Sequence, residues 1–485
     1  MTAALKQPRG FRVFCATEMW ERYGFYIVQY TLALLLLNTY QLQDAHIYAI
    51  MGSFTALVYL SPVVGGYLAD KILGYGHAIV LGCVTLIAGY GLLATWQGLP
   101  MVYFALSIIA VGTGLVKSSM SAFLGAQYHD ESKGHQDVRR HQGFSIFYAV
   151  LNLGEVLAAV SAGYLTQIWG WDAVYVTAAL GLFLGTLIFS LGIKLLKLRD
   201  NRQRTAGVLS IVVAYVTLFI LVAVNDQILG NQTLAWALMA VVLTGAIVLV
   251  IAKGRQCSVN EQKKLAVFFV LALLSAVFWA LFFLIYSALN LYIVRVINHH
   301  FLGINLPITL YAGIESLGVV ILGPLMGLMW LRLKMNGRDL STPGKSSLGF
   351  GLMGLTMLIL YVSTAMAHGG LVASSWLILA YFVLAAGELA LSAIGLAMVT
   401  EYVPRHLTGM MMGVWFICTG IGGKLSGLFA DATAIPDSVH NLARMESIYD
   451  HAFMLYAIVA LATAAMVMII MKLRKLIPSA RTRAS

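Results

Sequence analysis

The chain of 485 residues is too apolar for a soluble protein, since 60% of its residues are hydrophobic, 11% are charged and the formal net charge is +11. A mean hydropathy of +0.85 is typical of an integral membrane protein. A helix that crosses the ~30 Å hydrocarbon core needs about 20 apolar residues, and such runs follow one another along almost the whole chain. This composition excludes a sizeable folded domain outside the membrane, and with it catalysis in such a domain.

Polar and Gly/Pro-rich interruptions divide the chain into about fourteen predicted membrane-spanning helices. Six spans occupy residues 1–200, a two-helix hairpin with basic linkers occupies 201–263, and six more spans with a basic tail occupy 264–485. Two six-helix halves predict alternating access, in which the halves rock around a site near the middle of the membrane. The predicted spans are 14–38, 46–70, 78–96, 99–127, 142–168, 172–195, 207–224, 234–252, 264–297, 307–332, 347–367, 371–401, 408–430 and 449–473.

Basic residues mark one side of the membrane. The amino terminus, the carboxyl tail and every second connection hold most of the 31 Lys and Arg residues. By the positive-inside rule these segments lie in the cytoplasm, so both termini are expected there. We expect a protein of the bacterial inner membrane, and its positive charge then requires no nucleic-acid partner.

Several ionisable side chains fall inside apolar spans, where a charge at the bilayer centre costs about 2.5–3.5 kcal/mol even on the lenient insertion scale. Structural ion pairs between helices are one explanation. Because five acids face only two or three bases, pairing cannot account for all of them, and a leftover acid needs protons or a cationic ligand. The residues are Glu18, Glu21, Arg22, Lys117, Glu155, Glu315 and Glu388, with Lys424 a further candidate.

The first helix carries the densest group of these residues. Spacings of three and four place Glu18, Glu21 and Arg22 on one side of the helix, one turn before Tyr26. Lys117 would hold its proton in the membrane only while a nearby carboxylate is ionised, which suits a switch partner. All eleven histidines lie in connections or at helix ends, so Glu18, Glu21 and Lys117 are expected to carry protons. We expect no metal site, because no HExxH motif occurs, and no cofactor other than protons as the coupling ion.

Five ordered motifs carry a resemblance to a known family. They are Pro8-Arg9-Gly10 with Glu18-Met-Trp-Glu21-Arg22-Tyr23-Gly-Phe25-Tyr26; Gly65-Gly66-Tyr-Leu-Ala69-Asp70-Lys71 with Gly74; Lys117 with Phe144-Ser145-Ile-Phe147-Tyr148, Asn152 and Gly154; Glu388 with Ser392; and Met411-Met412-Gly413-Val-Trp415-Phe416. In these residues the chain resembles the proton-dependent oligopeptide transporter family, a branch of the major facilitator superfamily. The first motif is similar to the family signature ExxERFxYY, with Tyr23 in place of the usual Phe. The resemblance implies a major facilitator fold.

The resemblance also implies proton-driven import of di- and tripeptides. It assigns Glu388 to the peptide's amino group, and it makes Asp70, in the inner gate motif, a residue that holds helices in register. Proton coupling is assigned to Glu18, Glu21, Arg22 and Lys117. The other implied residues are Tyr26, Asn152, Trp279, Ser392 and Trp415 in the cavity, and Gly66 and Lys71 beside Asp70 in the gate motif.

The chain departs from the family pattern in its cavity charges. Gln29 stands where the family usually has an Arg that helps to hold the peptide carboxylate, and Glu155 and Glu315 stand where it usually has Ser and Asn. These changes predict a preference for basic peptides, or for cationic or amine-bearing solutes without a carboxylate. Alternatively, Glu155 and Glu315 are protonated or paired with Lys424, and the ordinary peptide preference survives. Leu284, Val294 and Ala393 are further departures.

Other classes of membrane protein fit less well. A channel usually shows a short symmetric subunit or a filter sequence, and an intramembrane enzyme needs a paired-aspartate, Ser/His or metal constellation. The sequence has none of these, so we predict that the protein is not an enzyme. A transceptor, which senses its ligand without moving it, is not separated from a transporter by sequence. We expect a monomer whose partners are a small peptide or peptide-like solute and the lipid bilayer.

Overall fold

The structure, a computed structural model, describes residues 7–95, 98–128, 136–196 and 207–476. Its helices are α1 (Phe11–Asn38), α2 (Asp44–Leu68), α3 (Tyr75–Thr95), α4 (Leu99–Ala126), α5 (Gln136–Gly192), α6 (Val208–Gly230), α7 (Gln232–Gly254), α8 (Val259–Phe282), α9 (Ala288–Val296), α10 (Ile308–Met335), α11 (Thr342–Ala365), α12 (Ser374–Tyr402), α13 (Thr408–Ala430) and α14 (Leu442–Leu476).

Short elements join or extend these helices. A π-helical turn, Ala69–Leu73, continues α2, and 3-10 turns lie at Ile193–Leu195, Phe283–Tyr286, Arg405–Leu407 and Asp431–Thr433. Four two-residue strands are β1 (Ile297–Asn298), β2 (His300–Phe301), β3 (Ile304–Asn305) and β4 (Val372–Ala373). Strand β1 pairs in parallel with β4, and β2 pairs antiparallel with β3. The strands lie in connections and leave the membrane part all-helical.

Helix α5 crosses the membrane twice. Gly170 interrupts it with φ +81°, a conformation that a residue without Cβ adopts freely. The two arms pack on the same stretch of α1, because Gly154 in the first arm touches Met19 and Gly185 in the second touches Trp20. The chain therefore reverses at Gly170.

The described residues confirm an all-α membrane protein. Twelve helices are long and apolar enough to cross a membrane by length and composition, with α5 counted once and the charged α1 left out. Counting α1, both arms of α5, and α8 with α9 as one span gives the fourteen spans that hydropathy predicts. Successive spans run in opposite directions, so the helix ends form two sides. We call the side with Asp70 and Lys71 the basic side and the side with Asp44 the far side.

Two predicted boundaries differ from the structure. The span predicted at 264–297 is broken by the 3-10 turn at Phe283–Tyr286, a run of four apolar residues with no Gly or Pro to signal it. The hairpin helices are longer than predicted, since α6 ends at Gly230 and α7 begins at Gln232. The Asn231 side chain accepts hydrogen bonds from the amides of Thr233 and Leu234 at 3.0 and 3.2 Å, which caps α7 at once.

The spanning helices form two groups, α1–α5 and α8–α14. The hairpin α6–α7 touches both groups. Helix α1 packs on both arms of α5 and α3 packs on α4, while α11 packs on α12 and α14, and α8 packs on α13. The two groups meet through α2 with α13 and α5 with α10. Helix α6 lies against α2 and α4, and α7 lies against α8 and α13. The hairpin therefore packs on both groups of helices.

A buried lysine joins the hairpin to both groups near the far side. The Lys424 ammonium, on α13, donates to Ser53 Oγ on α2 at 2.9 Å and to Gln232 Oε1 on α7. It also lies 5.2 Å from the centre of the Trp236 ring. Lys424 is only 2% exposed, so these contacts replace its hydration.

The first prediction concerns this lysine. Lys424→Met keeps the length of the side chain but removes the charged donor of Gln232 Oε1, which keeps only the longer 3.5 Å bond from the Ser53 hydroxyl among the described residues, at a cost of about 1–3 kcal/mol. We expect a lower midpoint of thermal unfolding in detergent. The double variant Lys424→Met/Gln232→Met should recover most of the loss, because the Gln232 oxygen that lost its charged donor is then removed as well. Lys264→Met, at an exposed position, is the matched control. Equal unfolding midpoints for Lys424→Met and wild type would contradict the view that Lys424 joins the hairpin to both groups of helices.

Candidate functional site

A charged cluster lies in the middle of the first helix. The Arg22 Nε is 2.5 Å from Glu21 Oε2 and 3.5 Å from Glu18 Oε1, and all three residues are buried. The α-helical spacing of four brings Glu18 and Arg22 together, as the sequence predicts. The guanidinium also lies 5.3 Å from the centre of the Phe25 ring. One base thus serves two acids, and one oxygen of each acid has no hydrogen-bond partner among the described residues.

Lys117, on α4, lies close enough to this cluster to interact with its charges. Electrostatic interactions link it to Glu18, Glu21 and Arg22. Among the ion pairs that described residues form, none includes Lys117. Its ammonium instead lies 3.9 Å from the centre of the Tyr59 ring. The four residues predicted for proton coupling are therefore brought together, with the lysine held by an aromatic face.

A second cluster collects three acids from both groups of helices. Glu155 comes from the first arm of α5, Glu315 from α10 and Glu388 from α12. Tyr30 donates to Glu155 Oε1 at 3.0 Å, and the Glu315 and Glu388 carboxyl groups lie within hydrogen-bonding range of each other. A hydrogen bond between two carboxyl groups requires a proton on one of them, because carboxylates only accept. This cluster can therefore hold a proton or a cation.

The alternative that pairs Glu155 and Glu315 with Lys424 is wrong. The Lys424 ammonium bonds Ser53 and Gln232 near the far side. Its side chain points toward the hairpin because Ser53 and Gln232 supply buried oxygens there. The three acids keep their negative charge or bind a proton, and this lysine does not balance them.

Aromatic side chains from both groups of helices pack on one another and adjoin the acids through Tyr30, which bonds Glu155. Tyr26 stacks on Tyr30 with ring centres 5.6 Å apart, and Tyr286, in the 3-10 turn, lies 6.3 Å from Tyr26 and 5.7 Å from Tyr30. Trp279 stacks on Phe283 at 5.7 Å, and its buried Nε1 has no partner among the described residues. These rings offer stacking faces and, at Trp279, a free donor to a ligand.

The remaining predicted cavity residues are not drawn into either cluster by a described contact. Gln29 is buried, and its side-chain oxygen has no partner among the described residues. The Asn152 amide donates to the Tyr148 carbonyl one turn earlier, at 2.8 Å. Trp415 is buried on α13. The side chain of Ser392 lies outside the described residues.

A crevice of about 1030 Å³ opens on the basic side. Gly66 and Asp70 line one wall, Leu249 of the hairpin lines another, and residues of α13 from Gly409 to Ile417 line the opposite one. Lys71 is exposed at the end of α2. The predicted gate motif thus lies at the mouth of the crevice, where the two groups of helices are apart.

Polar contacts between the two groups close the far side. Arg295, at the end of α9, makes two bonds of 2.6 and 2.7 Å to the Asp44 carboxylate at the start of α2. The same carboxylate accepts from the Ile435 amide at 2.8 Å, and Gln43 donates to Asp437 at 2.9 Å. Close packing of α2 on α13 adds to this closure, since a Cβ on Gly427 would lie 2.6 Å from the Tyr48 carbonyl oxygen.

Comparison with known proteins identifies the family of this chain. The model of the POT family matches residues 76–446. The chain belongs to the POT family. Dipeptide and tripeptide permease A of Cronobacter turicensis is 30% identical over 456 residues, which cover 93% of this chain and 90% of that permease.

Two solved structures superpose on almost the whole chain. Peptide transporter POT in complex with sulfate has a TM-score of 0.82 and 26% identity, covering 96% of this chain and 94% of that one. Tetrameric PepTSo2 has a TM-score of 0.84 and 21% identity, covering 97% and 99%. These superpositions confirm the major facilitator fold that the sequence motifs imply.

Sequence reasoning missed part of the site of this POT-family protein. Asp44 reads as an ordinary acidic residue in a first helical turn, and Arg295 as a charge at a helix end. One signal was available, because Arg295 is one of very few basic residues in the far-side connections. Tyr30 also follows Tyr26 by four residues, the spacing that places both on one face.

The second prediction tests the far-side closure. Arg295→Gln removes the charged partner of the nearly buried Asp44 carboxylate. This loss destabilises the closed far side by about 1–3 kcal/mol. We expect the initial rate of peptide uptake to fall at least roughly fivefold in proteoliposomes. The swap Asp44→Arg/Arg295→Asp should recover part of the rate. Lys345→Gln breaks the more exposed ion pair with Asp339 and should have little effect. Uptake at the wild-type rate in Arg295→Gln would contradict this assignment.

Proposed function

We propose that this POT-family protein is a proton-coupled symporter that imports di- and tripeptides by alternating access. The observation that carries the proposal is the Arg22 cluster, where two acids share one base inside the membrane. Lys117 lies beside it and forms no ion pair with any residue that the structure describes. The relative named dipeptide and tripeptide permease A favours a peptide over a non-peptide solute. Protons are the coupling ion, with no further cofactor and no enzymatic activity.

The orientation follows from the charges. The positive-inside rule assigns the basic side to the cytoplasm and both termini with it, in the bacterial inner membrane. The crevice then opens to the cytoplasm while the Asp44–Arg295 pair closes the outer side, which is the inward-open state. In the proposed cycle residues 1–200 and 264–485 rock against each other, with the hairpin 201–263 beside them and Gly66, Asp70 and Lys71 at the inner gate. The protein acts as a monomer.

Proton coupling uses the charge balance of the first cluster. Glu18 and Glu21 together balance Arg22 and Lys117 when all four are charged. A proton bound by Glu18 or Glu21 removes one negative charge, so one base then lacks its counterion. The least costly response is release of the Lys117 proton or movement of Arg22 toward another acid. Either response changes the contacts of α1 and α4, which links proton binding to helix movement.

Peptide binding uses the second cluster. Glu388 receives the peptide's amino group, with Glu155 and Glu315 beside it, and the tyrosine and tryptophan rings contact the side chains. Tyr26, Asn152, Trp279, Ser392 and Trp415 line the remaining cavity, and Gln29 takes the place of a cationic anchor for the carboxylate. This arrangement supplies many acceptors for an ammonium group and few donors for a carboxylate.

The third prediction tests proton coupling at Glu21. Glu21→Gln keeps the shape of the side chain but cannot carry the proton, so accumulation of a radiolabelled dipeptide driven by an inward pH gradient should stop. Counterflow exchange, which needs no net proton movement, should continue in part. Glu401→Gln, at an exposed position of α12, should keep both activities.

Two outcomes would overturn these assignments separately. Accumulation against a gradient by Glu21→Gln would reject the role of Glu21. Peptide binding without any transport by the wild-type protein would reject the symporter and identify a transceptor.

The fourth prediction concerns charge preference at the three acids. Unit charges ~6 Å apart at an effective dielectric near 20 interact by about 3 kcal/mol, enough to change preference roughly a hundredfold. We expect Lys-Ala and carboxyl-amidated Ala-Ala to compete better than Ala-Ala for uptake at fixed pH, with Asp-Ala weakest. Gln29→Arg/Glu315→Asn should restore Ala-Ala. A preference for Asp-Ala, or an unchanged order in the double variant, would reject the shift toward positively charged ligands and indicate ordinary peptide selectivity.

A further inference from the structure

Lys117 is held by an aromatic ring and not by a carboxylate. Its ammonium lies 3.9 Å from the centre of the Tyr59 ring, and no ion pair among the described residues includes it. An ammonium over the face of a tyrosine ring is attracted by the ring's negative face, and this attraction grows where water is excluded. Both side chains are partly buried, so the contact lies in a partly desolvated place.

Tyr59 also contacts the broken span α8–α9. Its ring centre is 5.2 Å from that of Phe283, the first residue of the 3-10 turn. Phe283 in turn stacks on Trp279, with ring centres 5.7 Å apart. One ring on α2 therefore contacts both the lysine of α4 and the irregular turn of a helix in the opposite group.

The charges around this contact come from several helices. Glu18, Glu21 and Arg22 on α1 act on Lys117, and Arg22, Glu155 and Glu388 act on Tyr59. The acids of α1 attract a charged Lys117 and Arg22 repels it, and the ring contact adds to the attraction.

We propose that Tyr59 is a positioning residue for proton coupling: its ring holds the protonated Lys117 and, through Phe283, ties that lysine to the turn at Phe283–Tyr286. When Lys117 gives up its proton, the attraction to the ring is lost and Tyr59 is free to move with respect to Phe283. The proton state of one group of helices is thereby communicated to the other. The inference rests on the proposed function, since it gives Lys117 a role in proton coupling.

The test follows counterflow exchange of a radiolabelled dipeptide across a pH series in proteoliposomes. The transition of interest is the one that disappears in Lys117→Gln. Without the ring the charged lysine is less favoured, so Tyr59→Leu should move this transition to lower pH by roughly half to one and a half units. Tyr59→Phe keeps the ring and should keep the midpoint, whatever its maximal rate.

Further variants separate positioning from folding. Phe283→Leu removes the ring that supports Tyr59 and should move the midpoint in the same direction by a smaller amount. In the Lys117→Gln background, Tyr59→Leu should leave the pH profile unmoved, because the group that it positions is gone. Thermal unfolding in detergent shows whether each variant is folded.

The outcomes distinguish this inference from the proposed function. If Lys117→Gln still accumulates peptide against a gradient, the proposed role of Lys117 fails, whatever Tyr59 does. If Lys117→Gln stops accumulation, the inference alone is overturned by any of three results: wild type shows no Lys117-dependent transition, Tyr59→Leu leaves its midpoint in place, or Tyr59→Phe shifts the midpoint as far as Tyr59→Leu. A shift of the same size in the Lys117→Gln background would also overturn it.

Discussion

A charge inside a membrane must find its counterpart within the protein, and the architecture of this chain depends on how it meets that requirement. Arg22 finds Glu18 and Glu21 on its own helix, so the first cluster forms without help from other elements. Arg22 balances the charge of only one of these two acids. The surplus makes Lys117 relevant, because a second positive charge is then tolerated on the neighbouring α4 without a direct ion pair.

The same requirement acts between the two groups of helices, with a different result on each side. The Asp44–Arg295 pair and the Lys424 contacts join the groups near the far side, where α2 and α13 also approach closely. On the basic side the walls of the crevice stand apart at Asp70 and Gly409. Both partners of such a contact separate and rejoin together, because a buried charge that has lost its partner costs free energy. Such contacts fit a protein that closes one side of the membrane while it opens the other.

Hydropathy predicts the spans well because the number of apolar residues that cross a bilayer is fixed by its thickness. The acids of the site are also visible in the sequence, since an ionisable residue in an apolar run is conspicuous. Partners far apart in the chain are not visible: Asp44 and Arg295 are 251 residues apart, and no periodicity connects them. The turn at Phe283–Tyr286 and the contact of Tyr59 with Lys117 are not predicted from the sequence for another reason. Aromatic residues in an apolar helix have the same composition as an ordinary core.

The second cluster presents the same requirement as an excess of negative charge between the two groups of helices. Glu155, Glu315 and Glu388 come from helices of both groups, so any positive charge between them draws the groups together. A bound proton relieves the repulsion among these acids, and in the proposed function the ammonium group of a peptide supplies the same positive charge with three donors. In the proposed symport cycle the transported proton is carried by the first cluster, so peptide and proton occupy separate acids and can cross the membrane together.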